Sequence, residues 1–136
     1  MKLDKDSIGY LNLFEKVTHV SPKHCFVDKN DILIFIVPEG TAGKAIGKKA
    51  TNVLHLSSLF KKRLRIIEYS ADPCKFVQHC LAPLKADSVT QKDEKVVITC
   101  QLPQTKAKIL GRDKANLKAL QALVKPYFPA VDIVVE

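Results

Sequence analysis

The sequence predicts an α+β protein built from two tandem copies of one small unit, each a three-stranded sheet with helices packed on one face. Three observations predict it. A stretch occurs twice: Ile46-Gly47-Lys48-Lys49-Ala50-Thr51-Asn52-Val53 and Leu110-Gly111-Arg112-Asp113-Lys114-Ala115-Asn116-Leu117. Aligned without a gap, Thr41–Lys61 and Thr105–Lys125 also share Thr41/Thr105, Lys44/Lys108, Leu56/Leu120, Leu59/Leu123 and Lys61/Lys125, the self-similarity expected of a repeated structural unit. Around each copy, a run with helical spacing and two short β-rich runs come before, and one β-rich run follows. The expected units are residues 1–70 and 71–136.

In chain order, Asp6-Ser7 is a helix start, with Ile8, Leu11, Phe14 and Val17 on one buried face and Ser21-Pro22 as the stop. His24–Asp28 and Ile32–Val37 read as the arms of a hairpin around Asp28-Lys29-Asn30-Asp31. The second arm is dense enough in β-branched residues to be central. Pro38-Glu39-Gly40 breaks the strand, and a short helix over Thr41–Ile46 leads to the turn Gly47–Ala50. The next helix, Thr51–Lys61, turns Val53, Leu56, Leu59 and Phe60 inward and closes on Lys61-Lys62-Arg63, which suits a helix C-terminus. Leu64–Tyr69 is a strand.

The second unit begins at Asp72-Pro73, an N-cap followed by a first-turn proline. Phe76, Val77, Cys80 and Leu81 form the apolar side of this helix, and Pro83 stops it. Strands over Ala86–Thr90 and Lys95–Gln101 flank a polar turn at Gln91–Glu94. Pro103 corresponds to Pro38 with a one-residue slip. Helix Gln104–Leu110, turn Gly111–Lys114, helix Ala115–Lys125 and strand Ala130–Val135 complete the copy, with Pro126-Tyr127-Phe128-Pro129 as a longer connection. The linker Ser70-Ala71 is too short for the units to tumble independently.

The chain has 136 residues, 46% of them hydrophobic, and a formal charge of +8. That balance is globular and favours a polyanionic partner. The basic residues gather at the turns: Lys44, Lys48 and Lys49 at the first, Lys106, Lys108, Arg112, Lys114 and Lys118 at the second. The cysteines Cys25, Cys74, Cys80 and Cys100 form no C-x-x-C pair and read as buried free thiols of a cytoplasmic protein, with no metal site. No secretory leader is expected from the first residues, and the longest apolar run, Ile32–Val37, is too short to span a bilayer. His19, His24, His55 and His79 are scattered, with no nucleophile–base spacing and no P-loop. The expectation is a binding protein that is not an enzyme and needs no cofactor.

A helix ending at a glycine, a tight basic turn and a second helix together suit a phosphate. The glycine permits a positive-φ exit and leaves no side chain in the way. The following helix points its free N–H groups and positive dipole end at the turn.

This element order resembles the KH domain in its type II form, whose motif is apolar-G-x-x-G-x-x-apolar. Ile46, Gly47 and Val53 match it in the first copy, and Leu110, Gly111 and Leu117 in the second. The tandem arrangement is similar to the archaeal NusA-like proteins, as are Pro38-Glu39-Gly40, Ile67-Glu68-Tyr69-Ser70-Ala71-Asp72-Pro73 and Leu81-Ala82-Pro83. The resemblance covers nearly the whole chain. It implies binding of single-stranded RNA, with the turn on the backbone of about four nucleotides and the bases in a groove between helices and strand. The implied RNA-binding set is Lys44, Ile46, Gly47, Lys48, Lys49, Ala50, Asn52 and Val53 in the first copy, and Lys108, Leu110, Gly111, Arg112, Lys114, Asn116, Leu117 and Lys118 in the second. The strand at Leu64–Tyr69 and the final strand would complete the two grooves. The family's second glycine is Ala50 in one copy and Lys114 in the other, and Asp113 adds a negative charge, so the second turn is expected to grip phosphate weakly.

The resemblance further implies a monomeric factor in transcription elongation or termination, with RNA and RNA polymerase as partners and no membrane. Two alternatives remain open at this stage. One is RNA binding in ribosomal RNA maturation; the other is a polymerase-docking module whose turns touch RNA only incidentally.

Overall fold

The structure is a computed structural model that describes the backbone of residues 5–28, 30–82 and 84–136, and side chains from residue 9 onward within those ranges. The expected roles of Ile8, Lys29 and Pro83 lie outside what is described. The chain is α+β and divides into two compact units, Met1–Tyr69 and Ser70–Glu136.

The first unit runs α1 (Lys5–Thr18), β1 (His24–Val27), β2 (Leu33–Val37), α2 (Ala42–Ile46), a single 3-10 turn (Lys48–Ala50), α3 (Thr51–Phe60) and β3 (Leu64–Glu68). The second repeats that order with α4 (Pro73–Leu81), β4 (Ser88–Lys92), β5 (Lys95–Thr99), α5 (Pro103–Leu110), a 3-10 turn (Arg112–Lys114), α6 (Ala115–Val124) and β6 (Asp132–Val135). Each sheet has its second strand in the centre, antiparallel to the first and parallel to the third. The parallel pair needs a crossover, and the helix–turn–helix supplies it. The helix after the turn lies against the edge strand in both units, α3 on β3 and α6 on β6.

In the first unit Leu33, Phe35 and Val37 of β2 join Phe14, Val20, Cys25, Ala45 and Leu56 in one core. The Phe14 and Phe35 rings stack with centroids 4.1 Å apart. Ile34 and Ile36, on the opposite face of β2, are also buried, so this strand reads as an unbroken apolar run because both its faces are covered. In the second unit the core-facing residues alternate along β5: Val96 and Ile98 are buried, and Val97 and Thr99 half-buried.

The boundaries depart from the expected ones for identifiable reasons. The first helix ends at Thr18, ahead of Ser21-Pro22: His19 adopts φ 59°, and the Thr18 hydroxyl, which donates to Phe14 O, accepts from the Val20 amide at 3.1 Å. The β1 strand stops at Val27 because the Asp28 carboxylate takes the Asn30 and Ile32 amides. The hairpin of the second unit extends to Lys92 and turns in Asp93-Glu94 alone, with Asp93 at φ 56°. Pro103 is not a counterpart of Pro38, since it sits in the first turn of α5, where its missing N–H is harmless. Leu59 was expected inside but is 48% exposed. Leu81 is half-buried, while Phe76, Val77 and Cys80 are buried.

The connection after α6 packs against the core. Tyr127 and Phe128 pack on Phe76 of α4, with centroid distances of 5.3 and 5.9 Å. Aromatic packing in the second unit thus comes from this connection, whereas the first unit draws it from α1, β2 and α3.

Candidate nucleic-acid interface

The two turns have the same backbone. Gly47 lies at φ 81°, ψ 168° and Gly111 at φ 73°, ψ 174°, a region open essentially to glycine alone. The third and fourth turn residues are left-handed in both copies: Lys49 (54°, 36°) and Ala50 (59°, 26°), and Asp113 (54°, 30°) and Lys114 (60°, 26°). The chain then enters a ten-residue helix in each case. A left-handed residue other than glycine costs about 1–2 kcal/mol. A glycine at the fourth turn position would remove that cost there, and neither Ala50 nor Lys114 does.

The side chains at the N-cap positions of α3 and α6, Ala50 and Lys114, make no capping hydrogen bond. The positive end of each helix therefore faces the turn with no side-chain acceptor from its N-cap. Thr51 instead donates its hydroxyl to the Lys48 carbonyl within the first turn. Alanine replaces Thr51 in the second copy, so that bond has no counterpart there.

Glycine has a second reason at these positions. A Cβ on Gly47 would lie 2.9 Å from Asn52 Cγ, and one on Gly111 would lie 2.6 Å from Asn116 Cγ. The Asn52 side-chain amide donates to the Lys44 carbonyl at 3.3 Å, and Asn116 donates to Lys108 at 2.9 Å. Each asparagine thus reaches over the glycine from the helix after the turn to the helix before it.

Of the residues expected to meet RNA, Lys44, Lys48, Lys49, Lys108, Arg112, Lys114 and Lys118 are exposed. They cluster at the two turns, three at the first and four at the second. Asp113 is exposed among the second group. Ile46, Gly47, Ala50, Asn52 and Val53 are half-buried, as are Leu110, Gly111 and Leu117, while Asn116 is exposed. The apolar members thus split their surface between core and solvent.

The expected strand lies at the edge of each sheet: among the described residues β3 pairs only with β2, and β6 only with β5. In the first unit α2 lies against β3, and Glu68 at the end of that strand accepts the Ala42 amide at 3.1 Å. A carboxylate four residues past the start of a strand carries no helix-capping signal, because its partner lies 26 residues away.

None of the four cysteines is in a disulfide. Cys25 and Cys80 are buried, whereas Cys74 and Cys100 are only half-buried, which corrects the expectation of four buried thiols. Burial, and then the nearby Asp72 and Asp87 carboxylates respectively, push the Cys74 and Cys100 thiols above their ordinary pKa. Among the described residues no three His, Cys, Asp or Glu side chains converge as a metal site would require. No helix among them is long and apolar enough to cross a membrane.

No protein-family model matches the chain. Named relatives do. The chain is 32% identical over 128 residues to the "Probable transcription termination protein NusA" of Methanocaldococcus jannaschii, spanning 92% of this chain and 69% of that protein. It is 32% identical over 120 residues to the protein of the same name from Methanococcus vannielii, across 86% of this chain and 69% of the other. The Halococcus morrhuae protein of that name is 28% identical over 133 residues, spanning 96% of this chain and 95% of its own length. Among solved structures, the crystal structure of APE1850 superposes with a TM-score of 0.74 at 27% identity, covering 98% of this chain and all of the other. On that identity and coverage, the chain belongs to the family of archaeal NusA-like proteins.

Proposed function

We propose that the protein is a single-stranded RNA-binding factor of transcription termination or elongation, built from two type II KH domains spanning residues 1–70 and 71–136. One observation carries the reading. The same glycine turn is built twice on one backbone path, with seven basic side chains exposed around the pair, though the turn residues themselves differ. A side chain held for packing would be buried, and these are in solvent. The names of the relatives supply the process, transcription termination.

In this reading Lys48, Lys49 and Arg112 neutralise the phosphates passing over the turns, and Lys44, Lys108, Lys114 and Lys118 extend the positive field. The half-buried Ile46, Val53, Leu110 and Leu117, with the edge strands β3 and β6, form the apolar floors on which unpaired bases rest. The protein acts in the cytoplasm as a monomer, by binding rather than catalysis and without a cofactor, with RNA polymerase as its protein partner.

A titration against single-stranded RNA and a duplex of the same sequence tests this. Single-stranded RNA should bind more tightly, with a salt slope of roughly −0.7 per phosphate neutralised. Equal affinity for the duplex, or no binding of either, overturns the reading.

A further inference from the structure

Within the repeated octet only two residues are identical between the copies, the glycine and the asparagine. The four residues between them all differ: Lys48, Lys49, Ala50 and Thr51 against Arg112, Asp113, Lys114 and Ala115. Yet the two turns share their dihedrals, including two successive left-handed residues, a conformation that Asp113 tolerates but that is unfavourable for Lys49, Ala50 and Lys114. Whatever holds that path is common to both copies, and the glycine–asparagine pair is the common part.

The pair has the geometry to do it. The last carbonyls of a helix have no partner within it. Lys44 in α2 and Lys108 in α5 carry such carbonyls, and the asparagine amides satisfy both, at 3.3 and 2.9 Å. Each asparagine is the second residue of the helix after the turn. One side chain therefore ties the end of the first helix to the start of the second, and it fits only because the glycine carries no Cβ.

We propose that Asn52 and Asn116 are positioning residues: each clamps its turn in the double left-handed form that presents the flanking basic side chains, and neither reads RNA itself. This rests on the RNA-binding reading of the turns for its functional half. Its structural half is open to measurement without RNA.

The test uses the intact chain with Asn52→Ala and, separately, Asn116→Ala, each checked for fold by circular dichroism and thermal melting. The first readout is amide exchange in the RNA-free protein. The Ala50 N–H donates to Gly47 O at 3.2 Å and the Lys114 N–H to Gly111 O at 3.2 Å. Losing the clamp should speed exchange at Ala50, or at Lys114, about fivefold, leaving the β2 and β5 amides unchanged. Unchanged exchange at both turns overturns the proposal.

The second readout is binding of fluorescein-labelled single-stranded RNA of randomised sequence, about twelve nucleotides long. Asn52→Ala should weaken binding about fivefold and flatten the salt dependence, and should cost nothing further in a chain already carrying Lys48→Ala and Lys49→Ala. A full additional loss in that background would mean that Asn52 contacts RNA directly, and overturns the proposal. Failure of the parent chain to bind the RNA overturns the functional reading instead, and the exchange measurement still decides the clamp.

Discussion

The carboxylate of Glu68, at the end of the edge strand β3, accepts the backbone N–H of Ala42, the first residue of α2, at 3.1 Å. It ties the strand to the helix that delivers the chain into the first glycine turn. The Thr41 side chain makes no capping bond to α2 and donates instead to the Pro38 carbonyl at 2.6 Å. In the second unit Leu102 stands at the N-cap of α5 and offers no side-chain acceptor. Glu68→Ala should lower stability by about 1 kcal/mol, the usual cost of a lost helix cap. Glu68→Gln keeps an acceptor oxygen and should recover most of it. Urea unfolding of both variants at neutral pH checks this, and equal midpoints for Glu68→Ala and the parent would show that the bond contributes nothing.

The left-handed residues of the turns allow a prediction of opposite sign. Ala50→Gly removes the steric cost of a Cβ at φ 59° but adds freedom to the unfolded chain. The first term is the larger, so the variant should be more stable by about 0.5 kcal/mol, and Lys114→Gly likewise. Ala50→Val should be destabilising, because a β-branched side chain is least tolerated at positive φ. Denaturant midpoints at constant slope report all three.

Lys48 and Lys49 are exposed. Replacing both with aspartate should change stability by less than about 0.5 kcal/mol. Aspartate is also among the residues that tolerate the left-handed conformation of Lys49. RNA binding should fall steeply, with a shallower salt dependence. A double variant that binds as well as the parent would remove these lysines from the interface.

The second turn shares its backbone with the first, so its expected weakness rests on charge rather than shape. Asp113 occupies the position of Lys49 and is exposed. Asp113→Lys in the intact chain should strengthen RNA binding and steepen its salt dependence by roughly 0.7, for the one further phosphate the new lysine neutralises. Unchanged affinity would place the RNA away from this turn and favour protein docking for the second unit.

Much of this protein is legible in its sequence because its repeat is local. Gly47 and Gly111 mark the turns, since only glycine enters their backbone region and leaves room for the asparagine. The apolar density of Ile32–Val37 marks β2 as a central strand, because covering both faces removes the alternation an exposed strand shows. Exposure of the turn lysines and arginine follows from charge, which water solvates and a core cannot. Tertiary structure alone decided the rest. It turned Leu59 outward and folded Tyr127 and Phe128 onto Phe76. It also joined Glu68 to Ala42 and Asn52 to Lys44. Those relationships depend on where separate elements of the chain come to rest against each other. Side-chain periodicity reports which face of an element is apolar, but it carries no information about which partner's polar group or ring will meet that face.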